Sequence, residues 1–425
     1  MAEPLLIKGC RIVGSSQGTC LSDILCQDGV VTAIGQGLSG EGGALLEARG
    51  LIAAPGLVDM HTHLRDPGQT QKEDIGSACA AAAAGGVTSL LAMPNTEPCA
   101  DEPSVLRYVA EKSRPTGLHV YPAAAATLGR RGKELCDFML LACGGAAAFS
   151  DDGSPIESAG MMLAAMKAAK RVGRPLISHC EELTLAAGGI VNEGDVSRAL
   201  GVGGIPAAAE EVMAARDLAL ARAYGLPVHI AHISTAGTAA LVRAFKRLGA
   251  PVSCETCPHY FSLDESLALS RDADYRMNPP LRTKADVGAI IEALKDGTID
   301  CIVTDHAPHT AAQKADFETA PNGVIGLETS LAAGITFLVR PGHLTLAQLI
   351  EKMSASPARL LGIPAGSLRP GAAADIVLFD PDEKWLVEPE RLHSRSKNTP
   401  FKGMTLYGRV KCTVASGRVV FNTLI

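Results

Sequence analysis

Residues 57–68 read LVDMHTHLRDPG. An apolar run ends on His61 and His63, two apart, and Arg65, Asp66, Pro67 and Gly68 follow. In a β-strand, side chains i and i+2 share a face. The run therefore predicts a strand that aims two imidazoles at one point as the chain leaves it, which is a metal-ligand arrangement. Arg65, a further two residues on, faces the same way and offers a planar fork to a carboxylate. A strand end with two exposed histidines is the simpler alternative. The rest of the chain argues against it by supplying further ligand types at similar places.

Seven more short apolar stretches follow: 87–92 (VTSLLA), 118–123 (LHVYPA), 145–149 (GAAAF), 175–179 (PLISH), 227–232 (PVHIAH), 251–256 (PVSCET) and 299–304 (IDCIVT). Helical patterns separate most of them, including 158–172, 208–223 and 285–294. The stripe of Met161, Met162, Leu163 and Met166 is read as core. Eight strands, each leading to a helix, predict an α/β fold, a (β/α)8 TIM-like barrel over 57–362. A doubly wound open sheet would carry a Gly-rich phosphate loop after its first strand, and HTHLRDPG is no such loop. Residues 4–56 and the stretch after 365 instead show short strands between Gly and Asp turns. They predict a small β-sandwich domain built from both termini, 1–56 and 363–425; two unrelated β extensions are the alternative.

The 425 residues can bury a sizeable core, and 47% hydrophobic content is ordinary for a globular enzyme. A net charge of -6, no basic run and 4% aromatics argue against a nucleic-acid partner. The apolar stretch 78–94 is too short and too broken by Thr88 and Ser89 to cross a membrane. Twelve scattered cysteines and no signal peptide read as reduced thiols in a cytoplasmic protein. Cys254 and Cys257 form a lone C-x-x-C with no second pair, and are read as small buried residues.

In such a barrel the chemistry sits at the C-terminal strand ends. Strand one ends at His61 and His63, strand four at Asp151 and Asp152, strand five at His179, strand six at His232 and strand eight at Asp305. That set exceeds the three ligands of a usual catalytic zinc. It suits two metals about 3.5–4 Å apart with one carboxylate bridging them; the residues leave Asp151 and Asp152 equally eligible. Such metals make hydroxide available near neutral pH, and Asp305 could carry a proton from the attacking water to a leaving nitrogen. His229, three before His232, is expected to face the helix layer, and His119, His343 and His393 to be structural or exposed. His259 stays open.

HTHLRDPG, AMPNTEP, FSDDG, SHCEE, HISTAG, NPPLR and TDHAPH, in this order, resemble the dihydroorotases of the amidohydrolase superfamily. The likeness spans nearly the whole chain and is closest to the bacterial monofunctional group, whose metal bridge is Asp rather than a carboxylated Lys. The nearest lysines, Lys133 and Lys167, are well away from the end of strand four. The resemblance implies reversible cyclisation of N-carbamoyl-L-aspartate to L-dihydroorotate in de novo pyrimidine synthesis, with one or two Zn2+ per subunit. It implies one zinc on His61, His63 and Asp305, the other on His179 and His232, and Asp152 between them. Arg65 and Asn95, helped by His309, would hold the substrate carboxylate. Asn278 and the backbone near Asn322 and Gly323 would contact the ring. A homodimer and a complex with aspartate transcarbamoylase are implied as assemblies. The competing expectations are a hydantoinase- or allantoinase-like activity, and a weakly active scaffold for that transcarbamoylase.

Overall fold

The computed structural model describes residues 3–14, 21–40 and 42–424. The remaining positions of the expected terminal domain, 1, 2, 15–20, 41 and 425, lie outside the described residues. Eight strands form one parallel sheet in simple order: Leu57–Thr62, Val87–Ala92, His119–Ala124, Ala148–Ser150, Leu176–Ser178, Val228–Ile230, Val252–Thr256 and Cys301–Ile302. Each falls within a stretch predicted from the sequence or within one residue of it. The chain beyond the eighth strand returns to the first: Thr62 bridges His306, and the His63 amide donates to the His306 carbonyl at 2.8 Å. The sheet thus curls into a barrel. The strands read as near-continuous apolar runs because helices cover one face and the barrel core the other.

The helices start where their caps dictate. Asp74 and Ser77 form a reciprocal capping box on Ile75–Ala84, and Ser158 caps Ala159–Val172. The latter buries Met162, Ala165, Met166 and Ala169, with Met161 and Leu163 packed at the margin, so the methionine stripe is core. Gly86, at φ +84°, turns the chain into the second strand where the barrel meets the terminal sheet. A Cβ there would approach Val377 Cγ2 to 2.6 Å.

Both termini enter a second, mostly antiparallel sheet. Ile52–Pro55 pairs antiparallel with Ile376–Leu386, which pairs with Thr405–Ala415 and then Arg418–Asn422. On its other side lie Leu5–Ile12, Ser22–Gln27 and Val30–Gly35, with Ala44–Glu47 alongside the first of these. Ile7, Ile24, Val31, Ala53, Ile376 and Val414 share one core. The first and last parts of the chain therefore form one connected unit, not two separate extensions. It docks on the barrel through Ser354 Oγ to the Gly56 carbonyl (2.7 Å) and Thr413 Oγ1 to the Ala83 carbonyl (2.7 Å).

Candidate metal centre

Histidine and aspartate side chains from five strand ends meet at one mouth of the barrel. His61 Nε2 lies 3.2 Å from Asp152 Oδ1, and His63 Nε2 lies 3.4 Å from Asp152 Oδ2. His232 Nε2 is 3.4 Å from Asp152 Oδ1 and 3.0 Å from His179 Nδ1. Two groups with metal-ligand spacing result, His61–His63–Asp152 and Asp152–His179–His232, and Asp152 belongs to both. Asp305 Oδ1 adjoins the first group, 3.0 Å from His63 Nε2. Asp151 turns away and accepts the amides of Ala126 and Thr127 at 2.8 and 3.0 Å. Of the two aspartates that the residues left equally eligible, geometry brings Asp152 to the histidines.

The donor set fits divalent cations. His61 is fully buried, and its Nε2 has no hydrogen-bond partner although carboxylate oxygen lies close by. Its other nitrogen, Nδ1, is 2.6 Å from Glu255 Oε1, so a neutral ring would donate there and aim its Nε2 lone pair into the cluster. Burial pulls the His61 pKa down, but the charges of Asp152 and Glu255 outweigh it and hold it well above the usual value. Burial likewise pushes the Asp152 carboxyl up, and His61, His179 and His232 outweigh it and hold it well below the usual range. Buried carboxylates that draw positive charge set up the demand that a bound cation would meet.

Backbone strain accompanies the site. Arg65, His232 and Asp305 take left-handed φ of +59°, +32° and +48°, a region that non-glycine residues enter at a cost. This geometry corrects the expectation for His229. The regular strand stops at Ile230, so the twist at His232 breaks the alternation that was to separate the two rings. His229 faces the barrel interior, not the helix layer. Its Nδ1 lies 2.7 Å from Ser253 Oγ and its Nε2 3.1 Å from Glu255 Oε2. Glu255 thus links His229 to His61 across the barrel. The signal for Glu255 was present, since a lone carboxylate in an apolar strand shares a face with Ser253 two residues before it.

Beside the cluster is a cavity of about 270 Å³, lined by Arg65, Asn95, Asn278, His309, Asn322 and Gly323 together with most of the ligand types. Arg65 is 7% exposed, and its Nε donates to the Pro308 carbonyl at 3.3 Å. Asn95 Oδ1 lies 2.8 Å from His63 Nδ1. His309 donates from Nε2 to the Asn322 carbonyl at 2.9 Å, while its buried Nδ1 has no partner. Burial and the charge of Arg65 push its pKa down to about 2. The Gly323 amide is engaged by the Arg276 carbonyl, and a Cβ on Gly323 would meet the Ala307 carbonyl oxygen at 2.7 Å. Glu181, not singled out in the sequence, lies behind the cavity. It lies two residues after His179, in the non-strand stretch that follows Leu176–Ser178.

His259 is buried edge-on against Tyr260 and does not line the cavity. His119 and His393 pair with Asp375 and Glu328 away from the centre. In the stretch 310–322, Arg276 Nη1 donates to the Phe317 and Glu318 carbonyls at 2.7 and 2.8 Å.

Comparison with known proteins places these features among relatives. A dihydro-orotase-like family model matches residues 50–238, and an amidohydrolase family model matches 193–421. A dihydroorotase of Acetivibrio thermocellus is 46% identical, with 98% of each chain covered. A dihydroorotase of Geobacter metallireducens is 47% identical over 98% of this chain and 99% of its own. Among solved structures, an L-hydantoinase (dihydropyrimidinase) from Arthrobacter aurescens superposes with a TM-score of 0.87 at 26% identity. That match covers 99% of this chain and 96% of the other.

Proposed function

This chain belongs to the dihydroorotase family, and on that footing we propose that it catalyses the reversible cyclisation of N-carbamoyl-L-aspartate to L-dihydroorotate, a step of de novo pyrimidine synthesis. The observation that carries the reading is near-full-length similarity to dihydroorotases in a chain whose cavity joins a cation-type donor cluster to a buried arginine. His61, His63 and Asp305 would hold one Zn2+, His179 and His232 a second, with Asp152 shared. When bound, such cations supply Lewis-acid polarisation of the reacting carbonyl and make water acidic enough to react near neutral pH.

The chain's own groups do the rest. Asp305, 3.0 Å from His63 Nε2, would take a proton from the attacking water and return it to the leaving ring nitrogen; in cyclisation the order reverses. Arg65 provides the fork for the substrate carboxylate. The Asn95 oxygen is engaged by His63, which leaves its NH2 end to donate to the same anion. His309 closes that end of the cavity, and Asn278 with the backbone at Asn322 and Gly323 would meet the ring. Arg65 favours dihydroorotate over hydantoin, because an uncharged ring would leave a buried guanidinium without an anion.

Hydrolysis of dihydroorotate by the purified, zinc-loaded protein, followed by ultraviolet absorbance, tests the reading. Activity on hydantoin or allantoin with none on dihydroorotate would overturn the substrate. We also propose a homodimer able to join aspartate transcarbamoylase, with a cytoplasmic location. Mass measurement with and without that partner, alongside activity, separates an independent enzyme from a scaffold.

A further inference from the structure

The two asparagines of the cavity are held in opposite senses. Asn95 gives its oxygen to His63 Nδ1 at 2.8 Å, so its NH2 faces the space that Arg65 also serves. Asn278 is the reverse: its Nδ2 lies 3.0 Å from each oxygen of Glu181. Carboxylate oxygens accept and do not donate. The Asn278 NH2 is therefore committed to Glu181, and Oδ1 is the end left for the cavity. The same carboxylate reaches the metal-type cluster, with Glu181 Oε2 3.4 Å from His179 Nε2. If His179 donates from Nε2, its Nδ1 carries the lone pair, and Nδ1 is the atom 3.0 Å from His232 Nε2 and 3.6 Å from Asp152 Oδ1. Glu181 does not itself line the cavity.

We propose that Glu181 is a positioning residue that fixes two acceptors at once, the Asn278 oxygen toward a ring N–H of the substrate and the His179 Nδ1 lone pair toward a cation. The substrate half rests on the dihydroorotase reading; the cation half does not. One carboxylate then couples the reading of the ring to the orientation of a metal ligand. It makes the site selective for cyclic amides that keep a free ring N–H, because an analogue lacking that donor leaves the Asn278 oxygen unpaired. Arg65 and Asn95 supply donors to the cavity and Asn278 an acceptor, matching a molecule with a carboxylate and an N–H.

Glu181→Gln tests this with nearly unchanged shape, since glutamine can donate as well as accept and so frees the Asn278 amide to turn. Three readings are expected on the folded variant. KM for dihydroorotate rises about tenfold, with kcat changed less than about threefold. The preference for dihydroorotate over its ring-N-methylated derivatives shrinks at least about tenfold. Zinc affinity, measured by competition with a chromophoric chelator, falls about tenfold, toward the low end of what loss of a ligand's hydrogen-bond partner costs. Unchanged KM and unchanged preference would overturn the substrate half, and unchanged zinc affinity the cation half. Should Glu181→Gln fail to fold, Asn278→Ala removes the acceptor directly. The N-methyl preference must then collapse, and equal preference in wild type and Asn278→Ala overturns the substrate half. Wild-type protein inactive on dihydroorotate overturns the function reading and the substrate half with it, while the zinc measurement still decides the cation half.

Discussion

Asp151 and Asp152 are chemically identical neighbours with opposite fates. Asp151 gives Oδ1 to two backbone amides and Oδ2 to the Thr127 hydroxyl, whereas Asp152 reaches four histidines. The difference is one of direction, set by how the chain leaves a three-residue strand. Asp305 is held in the same manner: burial pushes its carboxyl pKa up, but the hydrogen bond from His63 together with the charges of His61, His63 and His232 outweighs it and brings the value below the usual range. It thus remains ionised and able to accept a proton. Asp305→Asn retains an oxygen ligand but loses the proton carrier, and should lower turnover by about 10²–10⁴-fold. Elemental analysis of the variant should still find most of the zinc; retention of most activity would refute the proton-carrying role.

Among the elements, the barrel strands supply position and their ends supply chemistry. The strand ending at Ile230 shows how the backbone at one residue sets direction: the left-handed turn at His232 delivers a ring to the cluster while His229, inside the regular strand, holds Glu255. A second pairing joins the third barrel strand to the terminal sheet. His119 Nε2 lies 3.2 Å from Asp375, and that hydrogen bond raises the His119 pKa despite the opposing effect of burial. A histidine whose pKa is raised on folding stabilises fully below its unfolded pKa, about 6.5. The contribution is then lost as pH rises through the folded value. Melting temperature should therefore decline as pH rises from about 6 through the raised pKa, and His119→Gln should flatten that part of the profile. Parallel wild-type and variant profiles would rule out this contact as the cause. The ring is partly exposed, so the effect is expected to be small.

In the molecule as a whole, two cores share one chain. Ile52–Pro55 ends the N-terminal part of the terminal sheet and runs directly into the first barrel strand, so a single passage connects that sheet to His61 and His63. Metal binding and global stability should accordingly be coupled. A cation that binds only the folded barrel adds about 2.7 kcal/mol at 100 times its dissociation constant. Protein stripped with a chelator should melt lower, and stoichiometric zinc should restore it. Identical melting curves for the stripped and reloaded protein would contradict a cation site built from buried ligands.

The linear order of residues was enough to define the barrel and most of its mouth. Strand periodicity is local, and each ligand sits at the end of a short apolar run, so LVDMHTH, PLISH and VTDH announce their places. The union of both termini was also legible as texture, though their pairing through Ile52–Pro55 and Ile376–Leu386 is a contact across more than three hundred positions that no local pattern encodes. Direction was not legible either. Whether Asp151 or Asp152 turns inward, whether His229 faces the core, and what Glu255 and Glu181 touch depend on left-handed backbone at single residues and on partners from distant strands. Alternation can assign a face only while a strand stays regular, and the chemistry here begins where the strands stop being regular.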